Sequence, residues 1–331
     1  MSEQTASDVA DYIIRSSKGN KVRIRWFGGE PLCNTEAIDI ICSKLKANGT
    51  EFTCNFTTNG YLFNDENVKK ALENWNTTDV QVTLDGTEKV YNRVKNFIYT
   101  GVNAFAIVTD NIERLLKAGI KVKVRMNMDQ HNEKDLYTLS DWLLERFGKY
   151  DSFFAYVHLL FEDTGKLQME RTDFERHEMI QKFFDFEDYL RDRQPNFPIR
   201  TVRGLVQYRQ CMADDPTSTS IMPDGHLGKC EHFSDTDFWG SIYSDEIDQN
   251  VIKDFQRIRY LGEQCDKCPM HPMCIHLMRC TQTIPDRCDA VDRRLHFRNI
   301  DRIMKDTYRL YKENKLTIRS DSDETEIQYD C

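Results

Sequence analysis

From residue 1 to residue 160, short β-rich runs alternate with amphipathic helical stretches, and few architectures accept that alternation. A helix between two strands returns the chain to the same end of the sheet, so the strands run parallel. Ala6, Val9, Ala10, Ile13 and Ile14 recur at helical spacing, which predicts a helix over 1–17 that the polar segment 16–20 ends. Further helices are expected over 35–47, 65–75, 103–118 and 133–147. Strands are expected over 22–27, 52–57, 80–84, 122–128 and 153–160. The first four strands end in polar or glycine-bearing turns: Gly28-Gly29-Glu30, Thr58-Asn59-Gly60, Asp85-Gly86 and Asn127-Met128-Asp129. Parallel α/β folds bind ligands at the carboxyl ends of their strands, where the loops converge. A small-molecule site is expected there.

Beyond residue 160 the pattern changes. One long helix is expected over 175–191, stopping before Pro195, and a final amphipathic helix over 292–314. The tail from Ser320 is acidic and reads as a solvated end. Apolar residues make up 40% and charged residues 30%, the balance of a folded soluble chain rather than a disordered one. The net charge of −9 excludes the global basic footprint of a nucleic-acid binder. No apolar stretch is long enough to cross a bilayer, and the first thirty residues have no signal-peptide core. The expected setting is the cytoplasm, with neither nucleic acid nor membrane as partner.

Cysteine placement is uneven. Of eleven cysteines, seven fall between Cys211 and Cys288. Cys33, Cys42 and Cys54 are scattered through the first half and read as small buried hydrophobes. The array runs Cys211, Gly225, Cys230, then Cys265-x2-Cys268-x5-Cys274-x5-Cys280, then Cys288. A C-x2-C knuckle aims two thiolates at one metal, and clustering of this density in a reducing compartment favours metal over disulfides. Spacing alone leaves zinc and iron–sulfur open, since both use four thiolates.

Taken together, the strand ends and the cysteine array resemble radical S-adenosylmethionine (radical SAM) enzymes with a C-terminal SPASM domain, the group of sulfatase and peptide maturases. The residues that carry the resemblance are Trp26-Phe27-Gly28-Gly29-Glu30-Pro31-Leu32, Thr57-Thr58-Asn59-Gly60-Tyr61-Leu62, Val82-Thr83-Leu84-Asp85-Gly86 and Arg125-Met126-Asn127, each at a strand end and in the family's order. The resemblance implies a partial (β/α)6 TIM-like barrel that lacks its first strand over 1–165. A helical linker would follow over 166–204, an iron–sulfur SPASM domain over 205–291, and a C-terminal helix with the acidic tail over 292–331. It implies that Gly28 and Gly29 let the backbone approach the methionyl end of S-adenosylmethionine while Glu30 accepts from its ammonium group. Thr58, Asn59, Thr83, Asp85, Arg125 and Asn127 would contact its remaining polar groups. The ordinary alternatives are a turn at Asn59-Gly60, a helix cap at Asp85 and a surface ion pair at Arg125.

By the same resemblance, Cys211, Cys230 and Cys280 would hold one auxiliary [4Fe–4S] cluster, and Cys265, Cys268, Cys274 and Cys288 a second. Two departures stand out. The Cys274–Cys280 spacing is x5 where the family has x3, and Tyr208-Arg209-Gln210 offers no extra cysteine upstream of Cys211. The first cluster would then have an open iron site or a ligand such as Asp224 or His226, both of which also read as turn residues. Glu231 follows Cys230 where sulfatase-maturating relatives carry an acidic residue, and it is the candidate base.

The family's C-x3-C-x2-C signature, whose cluster cleaves S-adenosylmethionine, does not occur in these 331 residues, and no cysteine precedes Cys33. The expectation is an N-terminally truncated relative that does not cleave the cofactor alone. The implied function is peptide or protein maturation with an electron donor such as flavodoxin or ferredoxin. The alternative is a non-catalytic iron–sulfur or zinc module that partners an intact maturase.

Overall fold

The computed structural model describes residues 1–95, 100–160, 173–195, 197, 211–231, 237–256, 260, 262–268, 290–313 and 315. In chain order the first half carries α1 (Glu3–Ser17), β1 (Val22–Trp26), α2 (Thr35–Ala47), β2 (Phe52–Thr58), α3 (Asp65–Glu73), β3 (Thr77–Thr83), α4 (Glu88–Lys95), α5 (Ala104–Lys117), β4 (Lys121–Met128), α6 (Glu133–Phe147) and β5 (Phe153–Leu159). A 3₁₀ turn at Pro31–Asn34 follows β1. All five strands pair in parallel in the order β1-β2-β3-β4-β5, an open TIM-like partial barrel.

The helices start where short polar side chains can accept from free backbone N–H groups. Ser2 caps α1, Asn34 caps α2, Asn64 caps α3 and Asn103 caps α5, each through its side-chain oxygen. The strands alternate strictly. Phe52, Cys54 and Phe56 of β2, Val80 and Val82 of β3, Val122, Val124 and Met126 of β4, and Phe153, Ala155 and Val157 of β5 are buried. They share one core with Val9, Ile41, Leu45, Val108, Ile112, Leu115, Leu139 and Leu143 from the helices. The intervening positions, including Asn55, Thr57, Asp79, Gln81, Lys123, Arg125, Tyr156 and His158, occupy the face away from the helices. A polar face lined by five strands is thus built into the period-two pattern.

Three expectations change. β3 begins at Thr77 rather than at 80, because the polar Thr77–Asp79 stretch pairs with Cys54 and Asn55 across a bulge in the register. α4 was not expected: half of its eight residues are charged, and only Tyr91 is buried. Cys42 and Cys54 are buried as expected, with Sγ atoms 3.9 Å apart, but Cys33 is exposed on the 3₁₀ turn. The hydrogen bond shared with Cys54, together with burial, pushes the Cys42 thiol up, so it stays protonated.

After β5, helix α7 (Asp173–Arg193) packs on the sheet, with Ile180, Phe184, Phe186 and Leu190 in the main core. The Gln194 side chain accepts from the Ala155 N–H at 2.7 Å and donates to its carbonyl at 2.9 Å, as a neighbouring strand would. Helix α10 (Ala290–Lys312) lies on α7, where Arg302 pairs with Glu187 and Asp188, and Arg191 with Asp306. Between them, β6 (Ser220–Ile221), β7 (His226–Gly228) and β8 (Gly240–Ser241) form a small antiparallel sheet, followed by α8 (Gln249–Gln256) and the short α9 (Glu263–Asp266). Among the described residues no helix is long and apolar enough to cross a membrane.

Candidate cofactor site and cysteine region

At the carboxyl ends of the strands, two groups of side chains are locked together. In the first, Glu30 bridges the loops after β1 and β2. Its Oε1 accepts from the Thr58 hydroxyl at 2.7 Å and the Leu32 N–H at 3.2 Å, and its Oε2 from the Asn59 N–H at 2.8 Å. An ionised carboxylate offers about four acceptor positions, so roughly one remains for an outside donor such as an ammonium group. Thr58 is buried, and its hydroxyl also accepts from the Gly60 N–H at 3.0 Å, so it holds the loop rather than facing a ligand. Asn59 turns its Oδ1 back onto the Tyr61 N–H at 2.8 Å. Gly28 sits at φ +127°, a conformation open mainly to glycine, and no heavy atom lies within 4 Å of where a Cβ would stand. Backbone is thereby bared beside Glu30.

The second group joins β3 to β4. Thr83 and Arg125 are register partners. Arg125 Nε donates to Asn127 Oδ1 at 2.8 Å, and the Asn127 N–H donates to Asp85 Oδ1 at 3.1 Å. Burial pushes the Asp85 carboxyl up, opposed by its bonds from Asn127 and by the charges of Lys95 and Arg125. Asp85 is therefore a strand-to-strand acceptor rather than a helix cap, and half-buried Arg125 bonds within the site rather than in a surface ion pair.

Buried asparagines that sequence reasoning missed hold these loops. Asn111 on α5 donates to the carbonyls of Gly60 and Tyr61, both at 2.9 Å. Asn132 donates to the carbonyls of Asp85 at 3.0 Å and Asn127 at 2.8 Å. Asp135 accepts from the Thr87 N–H at 2.6 Å and its hydroxyl at 2.8 Å. The usable signal was Asn111, a polar residue on the apolar stripe of an otherwise regular helix. Also missed were Gln81 and Tyr156, whose hydroxyl donates to Gln81 at 2.6 Å on the polar sheet face; strand alternation marked that face.

In the cysteine region, Cys211, Cys230, Cys265 and Cys268 are described, and none of them is in a disulfide. Cys274, Cys280 and Cys288 lie outside the described residues, as does Cys331. The Cys268 N–H donates to the Cys265 carbonyl at 3.0 Å, the tight turn that a C-x2-C knuckle requires. Cys230 follows β7 and packs against buried Ala213 and Phe255. The loop 215–218 is drawn to the same strand, because buried Lys229 donates to the carbonyls of Asp215 and Ser218, both at 2.6 Å. Gly225, at φ +93°, makes the hairpin before β7 possible, since a Cβ there would stand 2.7 Å from the Tyr243 ring. Asp224 and His226 pair with each other at 2.8 Å, as the turn reading expects. Glu231 keeps a buried Oε2 with no hydrogen-bond partner, and no cluster of three or more potential metal ligands is assembled among the described residues.

Comparisons with known proteins bear on the fold that carries these groups. Residues 1–143 match the family described as the Radical SAM superfamily. Among solved structures, the chain is similar to native anSMEcpe with bound AdoMet, at TM-score 0.64 and 16% identity over 95% of this chain and 89% of that one. It is similar to native anSMEcpe with bound AdoMet and the Kp18Cys peptide, at TM-score 0.62 and 16% identity over 95% and 91%. It is also similar to SuiB of Streptococcus suis bound to the precursor peptide SuiA, at TM-score 0.55 and 19% identity over 81% and 64%. A comparison with curated proteins found no match. The match over residues 1–143 is to the Radical SAM superfamily, and the likeness to the solved structures is one of fold.

Proposed function

We propose that the chain binds S-adenosylmethionine at the carboxyl ends of β1 to β4 and belongs to a system that modifies a peptide or protein. One observation carries the reading. The residues that the family resemblance assigns to the cofactor stand bonded in two groups, Glu30 with Thr58 and Asn59, and Asp85 with Asn127 and Arg125. Gly28 and Gly29 would admit the methionyl end, the remaining acceptor position of Glu30 its ammonium group, and Arg125 its carboxylate. Thr83, Asn59 and Asn127 would serve the ribose and sulfonium end. The peptides named in the related structures support a peptide or protein substrate.

Residues 205–291 form a SPASM domain in this reading. One auxiliary [4Fe–4S] cluster takes Cys211, Cys230 and Cys280, and the other takes Cys265, Cys268, Cys274 and Cys288. The donor set suits iron–sulfur: thiolates on a tight knuckle and just after a strand end. Bound clusters would supply one-electron transfer, with flavodoxin or ferredoxin as the external donor. Glu231 would accept a proton from substrate, a role open to a carboxylate with an unpartnered buried oxygen. The 331 residues alone would not cleave S-adenosylmethionine reductively, because the three-thiolate motif for that step is not among them.

Titration calorimetry of the anaerobic chain with S-adenosylmethionine tests the reading. Saturable binding that Asp85→Ala and Arg125→Ala each weaken about tenfold is expected, in line with loss of one charge-assisted bond. Absence of binding in well-folded protein would reject the cofactor site and favour the non-catalytic metal module. Formation of 5′-deoxyadenosine by the 331-residue chain after dithionite reduction would reject its inactivity.

A further inference from the structure

The polar face of the sheet carries charge of one sign. Arg23 and Arg25 on β1 point to it, as do Lys121, Lys123 and Arg125 on β4, while Asp79 is its one acidic residue within the strands. Lys123 is neutralised by Asp79, and Arg125 is engaged with Asn127. Arg23 and Arg25 are both exposed, and their side chains have no hydrogen-bond or ion-pair partner among the described residues. In a chain of net charge −9, a cationic sheet face is not a by-product of composition.

We infer that this face, along Arg23 and Arg25, binds an extended acidic peptide segment through two carboxylates at alternate positions. The spacing supports the choice of occupant. Arg23 and Arg25 stand two residues apart on one strand, about 6.6 Å, which is also the repeat between same-side side chains of an extended peptide. Their guanidinium groups favour carboxylates, which they bind with two parallel N–H···O bonds. Thr53, Asn55 and Thr57 on β2, neighbours of β1 in register, add neutral polar groups suited to peptide amides. The inference rests on the reading of the chain as part of a peptide-modifying system and names the substrate class.

Fluorescence anisotropy with three short labelled peptides tests it, in a common Gly/Ser background carrying two Glu at alternate positions, two Lys at the same positions, or neither. The Glu peptide should bind roughly 10- to 100-fold tighter than the neutral one, the Lys peptide weakest, with the preference shrinking as salt rises. Arg23→Gln/Arg25→Gln should erase that preference and leave S-adenosylmethionine affinity unchanged. Lys21→Gln, which removes a nearby cation already paired with Glu51, should change neither. Equal binding of the Glu and neutral peptides overturns the inference while sparing the peptide-modifying reading. Failure of all three peptides to bind, in protein that still binds S-adenosylmethionine, counts against both. A single-stranded oligonucleotide that competes as well as the Glu peptide would make the face a general anion site and overturn the peptide assignment.

Discussion

The barrel half and the cysteine region differ in how much apolar surface their described residues bury together. In the barrel, strand residues from Phe52 to Leu159 and helix residues from Ala6 to Leu190 share one continuous apolar core. Among the described residues of the cysteine region, Leu227 and Ile242 reach that core, and Ala213 and Phe255 form a separate small cluster. Its strands are two or three residues long. On the proposed reading, metal binding would supply folding free energy where the described residues bury little apolar surface. One chain would then be folded by burial in one part and by ligation in the next.

The largest expected effect would break the comparison outright. Removing iron with a chelator under reducing conditions should abolish amide-exchange protection across 211–231 and 262–268 and leave β1 to β5 protected. Loss of protection in both regions together would show that they fold as one unit. Cys230→Ser or Cys268→Ser should reproduce the local loss and lower bound iron by about half, since each serves one of two clusters.

Smaller effects sharpen the account of the barrel. Glu30→Gln turns an amide donor toward the N–H of Leu32 or Asn59, or the Thr58 hydroxyl, all of which donate now. It should cost about 1–3 kcal/mol of stability in urea unfolding and weaken S-adenosylmethionine binding further. Gly60→Ala places a methyl 2.8 Å from Val82 Cγ1 at φ +78° and should cost about 1–3 kcal/mol. On the proposed reading the carboxyl of Glu30 serves both the loop and the cofactor, whereas Gly60 acts through packing, so only the first should change binding in excess of stability.

Asp85 gives the smallest effect, and its sign follows from burial. Its folded pKa lies above the unfolded value, so the native state binds more protons between the two, and stability falls as pH rises from the ordinary aspartate range through the raised one. Asp85→Asn, which keeps an acceptor for the Asn127 N–H, should flatten that slope. A stability difference between the two proteins that grows in the opposite direction would contradict the burial argument.

The same contrast explains what the sequence made legible. Helix and strand positions were readable through residue 160 because burial writes itself as a period of two or of 3.6. Helix α4 escaped because charge dominates it around one buried tyrosine, and the start of β3 because Thr77, Thr78 and Asp79 carry no apolar signal. The motif residues were legible as a set, but not their tasks. Glu30 and Thr58 turn out to bond each other across 28 positions, and Asn132 serves two loops through their backbone carbonyls, which no side-chain pattern records. In the cysteine region, spacing marks candidate ligands only, while the small sheet of β6, β7 and β8 lacks the periodicity that would have revealed it.

Mössbauer spectroscopy of the chain reconstituted anaerobically with ⁵⁷Fe and sulfide tests the central claim most directly. Two [4Fe–4S] clusters, about eight irons per chain, are predicted. Colourless protein that takes up no iron and holds stoichiometric zinc on the same cysteines would contradict it.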